Sequence, residues 1–456
     1  MATTLQERPV QGRTQGPMQG PPQGRRVRER ATAVLTGTPP RRLRSGAVGL
    51  ALLALLFGVL TVWQVDSRTT AADNVVNHSQ PLSDDAAQIF RSLADADTTA
   101  ATGFLQAGAE TATVRDQYNA DIATASKLLT QAAAQTDPND PGQQWIQQLN
   151  TQLPVYAGLV ETAKADDRQG LPLGGAYLRY GSGQMQGQML LEAQNLYNAE
   201  TARLHADYAD ARSLPWAALG LGVVLLILLV RAQVLLYRRT NRVFNIGLVL
   251  GTACATVALL WLAAGQSVAA SYLSDSDTQG AAPLQVLNEA GIEALKCRGA
   301  ENLNLVARGS TTVYEDTWEK ESAALGNANA TSGYLPTARS MTTGDAVAQQ
   351  SLTAALSDWH TWQSRHDTAY TANQAGDYQT ALNDTIGTGS TTINASFTAL
   401  ESSLNSAATH EQAQFTSLAD DGRNATTLLA PGAGLLAVLA AVGAVAGINR
   451  RVAEYR

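Results

Sequence analysis

A chain of 456 residues with a formal net charge of -7 lacks the basic surplus that nucleic-acid binding requires, so no nucleic-acid partner is expected. Its two cysteines, Cys254 in an apolar run and Cys297 in a polar stretch, exclude a disulfide framework or a cysteine metal cluster. Four long apolar runs place the chain among integral membrane proteins. The expected fold class is all-α: four transmembrane helices and two extracytoplasmic four-helix bundles arranged as a tandem duplication.

Residues 1–40 hold Pro17, Pro21, Pro22 and an arginine cluster but almost no apolar residue, and read as a disordered basic cytoplasmic tail. Its charge is either a topology signal or an attraction to anionic headgroups or an acidic partner. The first span covers 46–65, uncharged between Arg44 and Asp66. Trp63-Gln64-Val65-Asp66 offers no small-x-small cleavage site, so an uncleaved span is expected rather than a signal peptide. Residues 66–213 form the first extracytoplasmic bundle. Stripes at helical spacing run through Ile89, Leu93 and Phe104, then Tyr118, Ile122 and Leu129, then Ile146, Leu149, Leu153 and Tyr156, with a fourth helix from about Tyr177.

The second span (214–237) carries one charge, Arg231, near its end, followed by a cytoplasmic loop (238–242) and the third span (243–265). Residues 266–427 are the second bundle, 428–448 the fourth span and 449–456 a cytoplasmic tail. Arginines crowd the segment before span one, the loop after span two and the tail after span four, so both termini face the cytoplasm in a multi-pass cell-membrane protein.

The two bundles repeat. Gly170, Gly181 and Gly183 are matched by Gly376, Gly387 and Gly389, each 206 positions on, and Tyr156 is matched by Trp362. The helical pattern of each fourth bundle helix runs on toward its span without a pause, so a continuous rod is expected there. The glycine pairs weaken that helix and mark a hinge, a close contact or a local break.

No nucleophile elbow, phosphate loop, zinc pattern or dinucleotide fingerprint occurs, so no catalytic residue, metal ligand or cofactor is expected and the chain is read as a non-enzyme. His360 and His366, six apart, point to different helix faces. The sharpest candidate lies on the first helix of the second bundle. Arg298 and Asn302 interrupt an apolar seam that runs from Leu287 through Leu295 to Leu305. With Glu301 and Arg308 they are placed either to grip the carboxylate of an amino acid or partner loop, or to form a buried ion pair that fixes helix register. Trp359 and Trp362 either wall that site or pack as core, as Met185 and Met189 do.

The order of span, helical bundle and span resembles the sensor half of bacterial chemoreceptors and nitrate-type sensor kinases, without their cytoplasmic kinase modules. With its Ala, Gly and Thr richness, arginine-laden amino terminus and paired bundles, residues 40–456 resemble the GlnX-type family of actinobacterial membrane sensors. The resemblance implies an extracytoplasmic glutamate or aspartate signal received from a GlnH-like solute-binding lipoprotein and passed to a cytoplasmic Ser/Thr kinase resembling protein kinase G. The expected function is therefore a non-enzymatic transmembrane sensor. The alternatives are an accessory or docking subunit of a transport or export system, and a cell-envelope scaffold.

Overall fold

The computed structural model describes residues 39–106, 110–240, 245–308, 310–327 and 329–453. The tail of residues 1–40 lies outside the described residues except for its last two, which open the first helix. Among the described residues every regular element is a helix. In chain order these are α1 (Pro39–Asn74), a π turn (Val75–Ser79), α2 (Gln80–Leu105), α3 (Ala112–Gln135), α4 (Pro141–Arg168) and α5 (Leu173–Gln184). A second π turn (Met185–Met189), α6 (Leu190–Arg212), α7 (Trp216–Thr240), α8 (Ile246–Ser276) and a third π turn (Asp277–Ala281) follow. The chain ends through α9 (Ala282–Ala307), α10 (Val313–Leu325), α11 (Tyr334–Met341), α12 (Ala346–Gln374), α13 (Tyr378–Ile386), α14 (Ile393–Thr426) and α15 (Leu429–Ala453).

The chain divides into two compact units. Of the described residues the smaller holds 39–59, 220–240, 245–259 and 434–453, parts of the four helices among them that are long and apolar enough to cross a membrane. Its core joins Ala54 and Phe57 to Leu225, Leu229, Leu248, Ala255, Ala440 and Ala444. Glycine sets the spacing between α8 and α15. A Cβ on Gly247 would stand 2.6 Å from the Gly447 Cα, and one on Gly251 would stand 3.0 Å from the Ala440 carbonyl. Such backbone approach supplies the dispersion contact that apolar surroundings cannot. The Asn245 amide donates to the Gly447 carbonyl at 2.7 Å, and Gln233 ties α7 to α8 through Thr252 Oγ1 at 2.6 Å. Leu52, Leu56, Val59, Val224 and Leu250 point outward, as lipid-facing residues do.

The larger unit holds residues 60–219 and 260–433. Here α2 packs on α3, α6 and α9, α4 packs on α5 and α6, α9 packs on α10, α11 and α14, and α12 packs on α11, α13 and α14. One apolar core runs through all of these, from Leu93, Ile146, Tyr156 and Leu196 to Leu295, Leu303, Trp362 and Leu400. Helix α9 is buried on nearly every face because it lies against α2 on one side and α10, α11 and α14 on others. Its wide spread of apolar residues, from Leu284 through Ile292 to Leu303, suits that position.

The expectation that each fourth bundle helix runs unbroken into its span is corrected for the first of them. Helix α6 stops at Arg212, and Ser213 takes an extended backbone (φ -62°, ψ 134°) before α7 begins at Trp216. Pro215 keeps the helix from running on, because it has no amide hydrogen to extend the ladder and its ring crowds the carbonyl four residues back, at Ala211. Arg68 takes up the carbonyls this frees, donating from Nε to Ser213 at 2.6 Å and from Nη2 to Leu214 at 3.1 Å. At the fourth apolar run Thr427 and Leu428 separate α14 from α15.

The unbroken helices are the other two. Helix α1 continues through a π turn into α2, and α8 continues through a π turn into α9. Each π turn is followed by a proline at the second position, Pro81 and Pro283. A proline inside a helix removes a ladder hydrogen bond and crowds the carbonyl four residues back, and the wider turn relieves that crowding. Across these turns the Gln80 amide donates to the Val75 carbonyl, and the Ala282 amide to that of Asp277. The glycine pairs have different outcomes: Gly181 and Gly183 remain helical just ahead of the second π turn, whereas Gly387 ends α13 and the chain restarts at Ile393 behind its Thr392 cap.

Candidate functional site

Helices α9, α10 and α12 bring four ionisable groups into one buried chain. The Arg298 Nη1 lies 3.3 Å from Glu301 Oε2, one helical turn along α9, and its Nη2 donates to the Thr385 carbonyl at 3.2 Å and to Asn394 Oδ1 at 3.4 Å. The guanidinium stands 6.0 Å from the centre of the Phe397 ring. Glu301 Oε1 accepts from Trp362 Nε1 at 2.9 Å and pairs with His366 Nδ1 at 2.8 Å. His366 Nε2 pairs with Glu315 Oε1 at 3.1 Å, and its ring stacks on Trp318 with centroids 3.4 Å apart. Trp362 and His366 are four apart on α12, so both meet the same carboxylate.

Electrostatics close this network. Burial works against the His366 imidazolium, but hydrogen bonds to Glu301 and Glu315 outweigh it and raise its pKa to about 9. Burial likewise pulls the Arg298 guanidinium down from its ordinary value, opposed by Glu301. With both cations charged, two positive groups face two carboxylates, which is the arrangement a buried ionic cluster needs.

The structure thus joins Arg298, Glu301 and Trp362. Asn302 points elsewhere: its amide donates to the Thr98 carbonyl at 3.1 Å and to Thr102 Oγ1 at 2.9 Å, tying α9 to α2. Trp359 is fully buried, edge-on to Trp362, with Nε1 donating to the Gly326 carbonyl at 2.8 Å. Arg308 lies outside the network. It is exposed at the end of α9 with a left-handed backbone (φ 49°), and its guanidinium covers the Tyr378 ring at 4.9 Å. The space beside the cluster, between Glu301, Asn304, His366 and Tyr370, is about 20 Å³, room for a water molecule. The carboxylate that Arg298 holds is the chain's own Glu301.

Sequence reasoning passed over His366 and Glu315, and also a second buried carboxylate. Asp97 on α2 accepts from Ser182 Oγ at 2.6 Å, Tyr156 Oη at 3.1 Å and Gln186 Nε2 at 3.2 Å. Burial pushes its pKa up and these three donors pull it back. The available signal was an acid four residues after Leu93 on an apolar stripe.

Two further acidic pairs stand at the starts of α4 and α12. Asp140 caps α4 by accepting from the Gly142 amide at 2.8 Å and binds Arg203 Nη1 at 2.9 Å. Asp345 caps α12 by accepting from the Val347 and Ala348 amides at 2.9 and 3.0 Å, and contacts His410 Nε2 at 2.7 Å and the Gln414 amide. Beside each cap lies a buried glutamate, Glu200 and Glu411, with neither carboxylate oxygen hydrogen-bonded among the described residues. Burial, then the neighbouring Asp140 or Asp345, raises each to about 7. No group of His, Cys, Asp or Glu able to hold a metal ion occurs among the described residues.

Residues 71–209 match the family model described as Actinobacterial sensor domain. The matched stretch contains Asp97, Tyr156, Ser182, Gln186 and Glu200. It supports a sensor role for that stretch, and the sensor-domain family is generally non-enzymatic. No curated protein and no solved structure matches the chain.

Proposed function

We propose that this chain is a non-enzymatic transmembrane sensor whose larger helical unit faces outside the cell membrane, with both termini in the cytoplasm. It receives a glutamate or aspartate signal, through a GlnH-like solute-binding lipoprotein, and relays it to a cytoplasmic Ser/Thr kinase resembling protein kinase G. The observation that carries this reading is the sensor-domain match over residues 71–209, in a helical unit joined without interruption to membrane-capable helices through α1–α2 and α8–α9.

A tandem pair of four-helix bundles accounts for the internal correspondences. The π turn and its following Pro-Leu recur 202 positions on, from Val75 to Asp277. Tyr156 and Trp362, 206 apart, each donate to a buried carboxylate on the first helix of their copy, Asp97 and Glu301. The caps Asp140 and Asp345 are 205 apart, and the buried glutamates Glu200 and Glu411 are 211 apart. The last step is longer because the second copy spends extra residues between Gly387 and Ile393 where the first makes a π turn. On this reading residues 282–426 are a second sensor unit of the same kind.

The test is affinity capture of the detergent-solubilised protein from its own cells, with mass spectrometry of what stays bound. A solute-binding lipoprotein retained more strongly in glutamate or aspartate is the expected result. An ATPase or permease in its place would replace the sensor reading with that of a transport accessory.

A further inference from the structure

Apart from the closed ionic cluster, the larger unit contains a cleft of about 370 Å³ between α2, the second π turn with the start of α6, and the α9–α10 pair. Its volume suits a ligand of amino-acid size. Phe90, Leu190 and Leu295 supply an apolar floor, while Thr98, Gln186 and Gln194 supply hydroxyl and amide groups. Thr98 Oγ1 is buried and has no hydrogen-bond partner among the described residues. It stands 3.4 Å from where a Cβ on Gly299 would be, so the glycine keeps the space beside that hydroxyl open. A buried hydroxyl left without a partner costs free energy that a bound ligand would recover.

Two ammonium groups border the same cleft. Lys296 Nζ lies 2.9 Å from Glu293 Oε1, and Lys320 Nζ lies 2.8 Å from Glu321 Oε1. Burial and a hydrogen bond to Glu321 raise Glu293 to about 8, which weakens its neutralisation of Lys296 near neutral pH. Glu321 is ionised: burial acts to raise it, but hydrogen bonds from Glu293 and Lys320 hold it below the ordinary range. The cleft thus sets two ammonium groups against two carboxylates, Glu321 and an Asp97 already held by Ser182, Tyr156 and Gln186, over an apolar floor with an unanswered hydroxyl. A π turn forms one wall, with Gln186 and Gly187 on it. Single π turns inside helices are frequent at functional sites.

We infer that this cleft is a direct binding site for a small carboxylate-bearing solute. Lys296 and Lys320 hold its carboxylate, Thr98 and Gln186 bond its polar groups, and the floor of Phe90, Leu190 and Leu295 takes its methylene carbons. The inference deepens the sensor reading but fails separately from it, since a lipoprotein can deliver the signal to a chain whose own cleft is empty.

Isothermal titration of the full-length, detergent-solubilised protein with L-glutamate, succinate and butyrate provides the test, with thermal melting of each variant as a check on folding. Saturable binding of at least one of the three is expected. Lys296→Gln and Gly299→Leu should each weaken it by about tenfold or more, the value of one charge-assisted hydrogen bond or a filled cleft. Gly183→Leu, at a helical position with open space around it, should leave it unchanged. Glutamate alone binding would show that the ammonium is also read; glutamate and succinate binding alike would show a dicarboxylate site; all three would show recognition of one carboxylate. If Gly299→Leu fails to melt cooperatively, Lys296→Gln and the exposed Lys320→Gln carry the test. No saturable binding of any of the three, or binding untouched by both lysine changes, overturns the inference.

Discussion

At the scale of single residues the buried charges divide into satisfied and unsatisfied sets, and the two respond differently to change. Arg298 is satisfied, and removing it strands Glu301 and Glu315 with His366 as their one cationic neighbour. Arg298→Ala should therefore cost about 3–5 kcal/mol in denaturant unfolding, whereas Arg308→Ala at the surface should cost about 1 kcal/mol or less. Equal losses would show that Arg298 is not buried in a charge network. Glu200 and Glu411 are unsatisfied, with pKa values of about 7 against an ordinary value near 4.5. Between those values the folded chain holds protons that the unfolded chain releases, so stability falls as pH rises from about 4.5 to 7, with no further loss from these groups above that. Glu411→Gln should flatten that part of the pH–stability profile and raise the melting temperature at pH 8. An unchanged slope would place Glu411 in contact with water. His366 works in the same sense at higher pH: its contribution is complete below about 6.5 and is lost as pH rises through about 9. Arg298 and Asn302 were legible in the sequence because polar residues interrupted an apolar stripe. Glu200 between Leu196 and Leu204, and Glu411 between Ala407 and Phe415, carry the same four-residue signal. His366 has no such mark, since only the fold brings Glu301 and Glu315 to its two ring nitrogens.

At the scale of elements, glycine and proline decide where helices touch and where they stop. Gly443 and Gly447 on α15 face Gly247 and Gly251 on α8, so the small residues of the fourth apolar run pack against the third run of the same chain. A Cβ on Gly443 would stand 2.7 Å from the Gly247 carbonyl oxygen. Gly443→Val should destabilise the protein in detergent by about 1–3 kcal/mol, while Gly220→Ala, which meets open space, should have little effect. Equal effects would remove the close crossing of α8 and α15. Apolar stripes located most helices of the larger unit, because period and turn residues are local properties. Which helices run unbroken was not legible in the same way. The π turns before Pro81 and Pro283 keep α1–α2 and α8–α9 continuous, and Pro215 ends α6 inside a pattern that reads as continuous. Propensity alone does not say whether a chain will widen a turn or leave the helix; packing around the proline decides it.

For the whole molecule, the four membrane-capable helices follow directly from uninterrupted apolar length, and so were plain from residue order. The joining of the two helical segments between the apolar runs was not. Their cores merge where α2 meets α9, and Asn302 with Thr98 and Thr102 forms a polar tie across that contact. A long-range contact of this kind leaves no periodic trace beyond the unusual breadth of apolar residues on α9. The two helices that meet there, α2 and α9, are also the ones that continue through π turns from α1 and α8. The central claim is that an external amino-acid signal is passed inward through this chain. Its most direct test compares Ser/Thr phosphorylation, before and after addition of glutamate or aspartate to intact cells, between cells that carry the chain and cells from which it has been deleted. A phosphorylation response present with the chain, lost on deletion and restored by re-expression is the predicted result. A response of the same size in the deleted cells would contradict it.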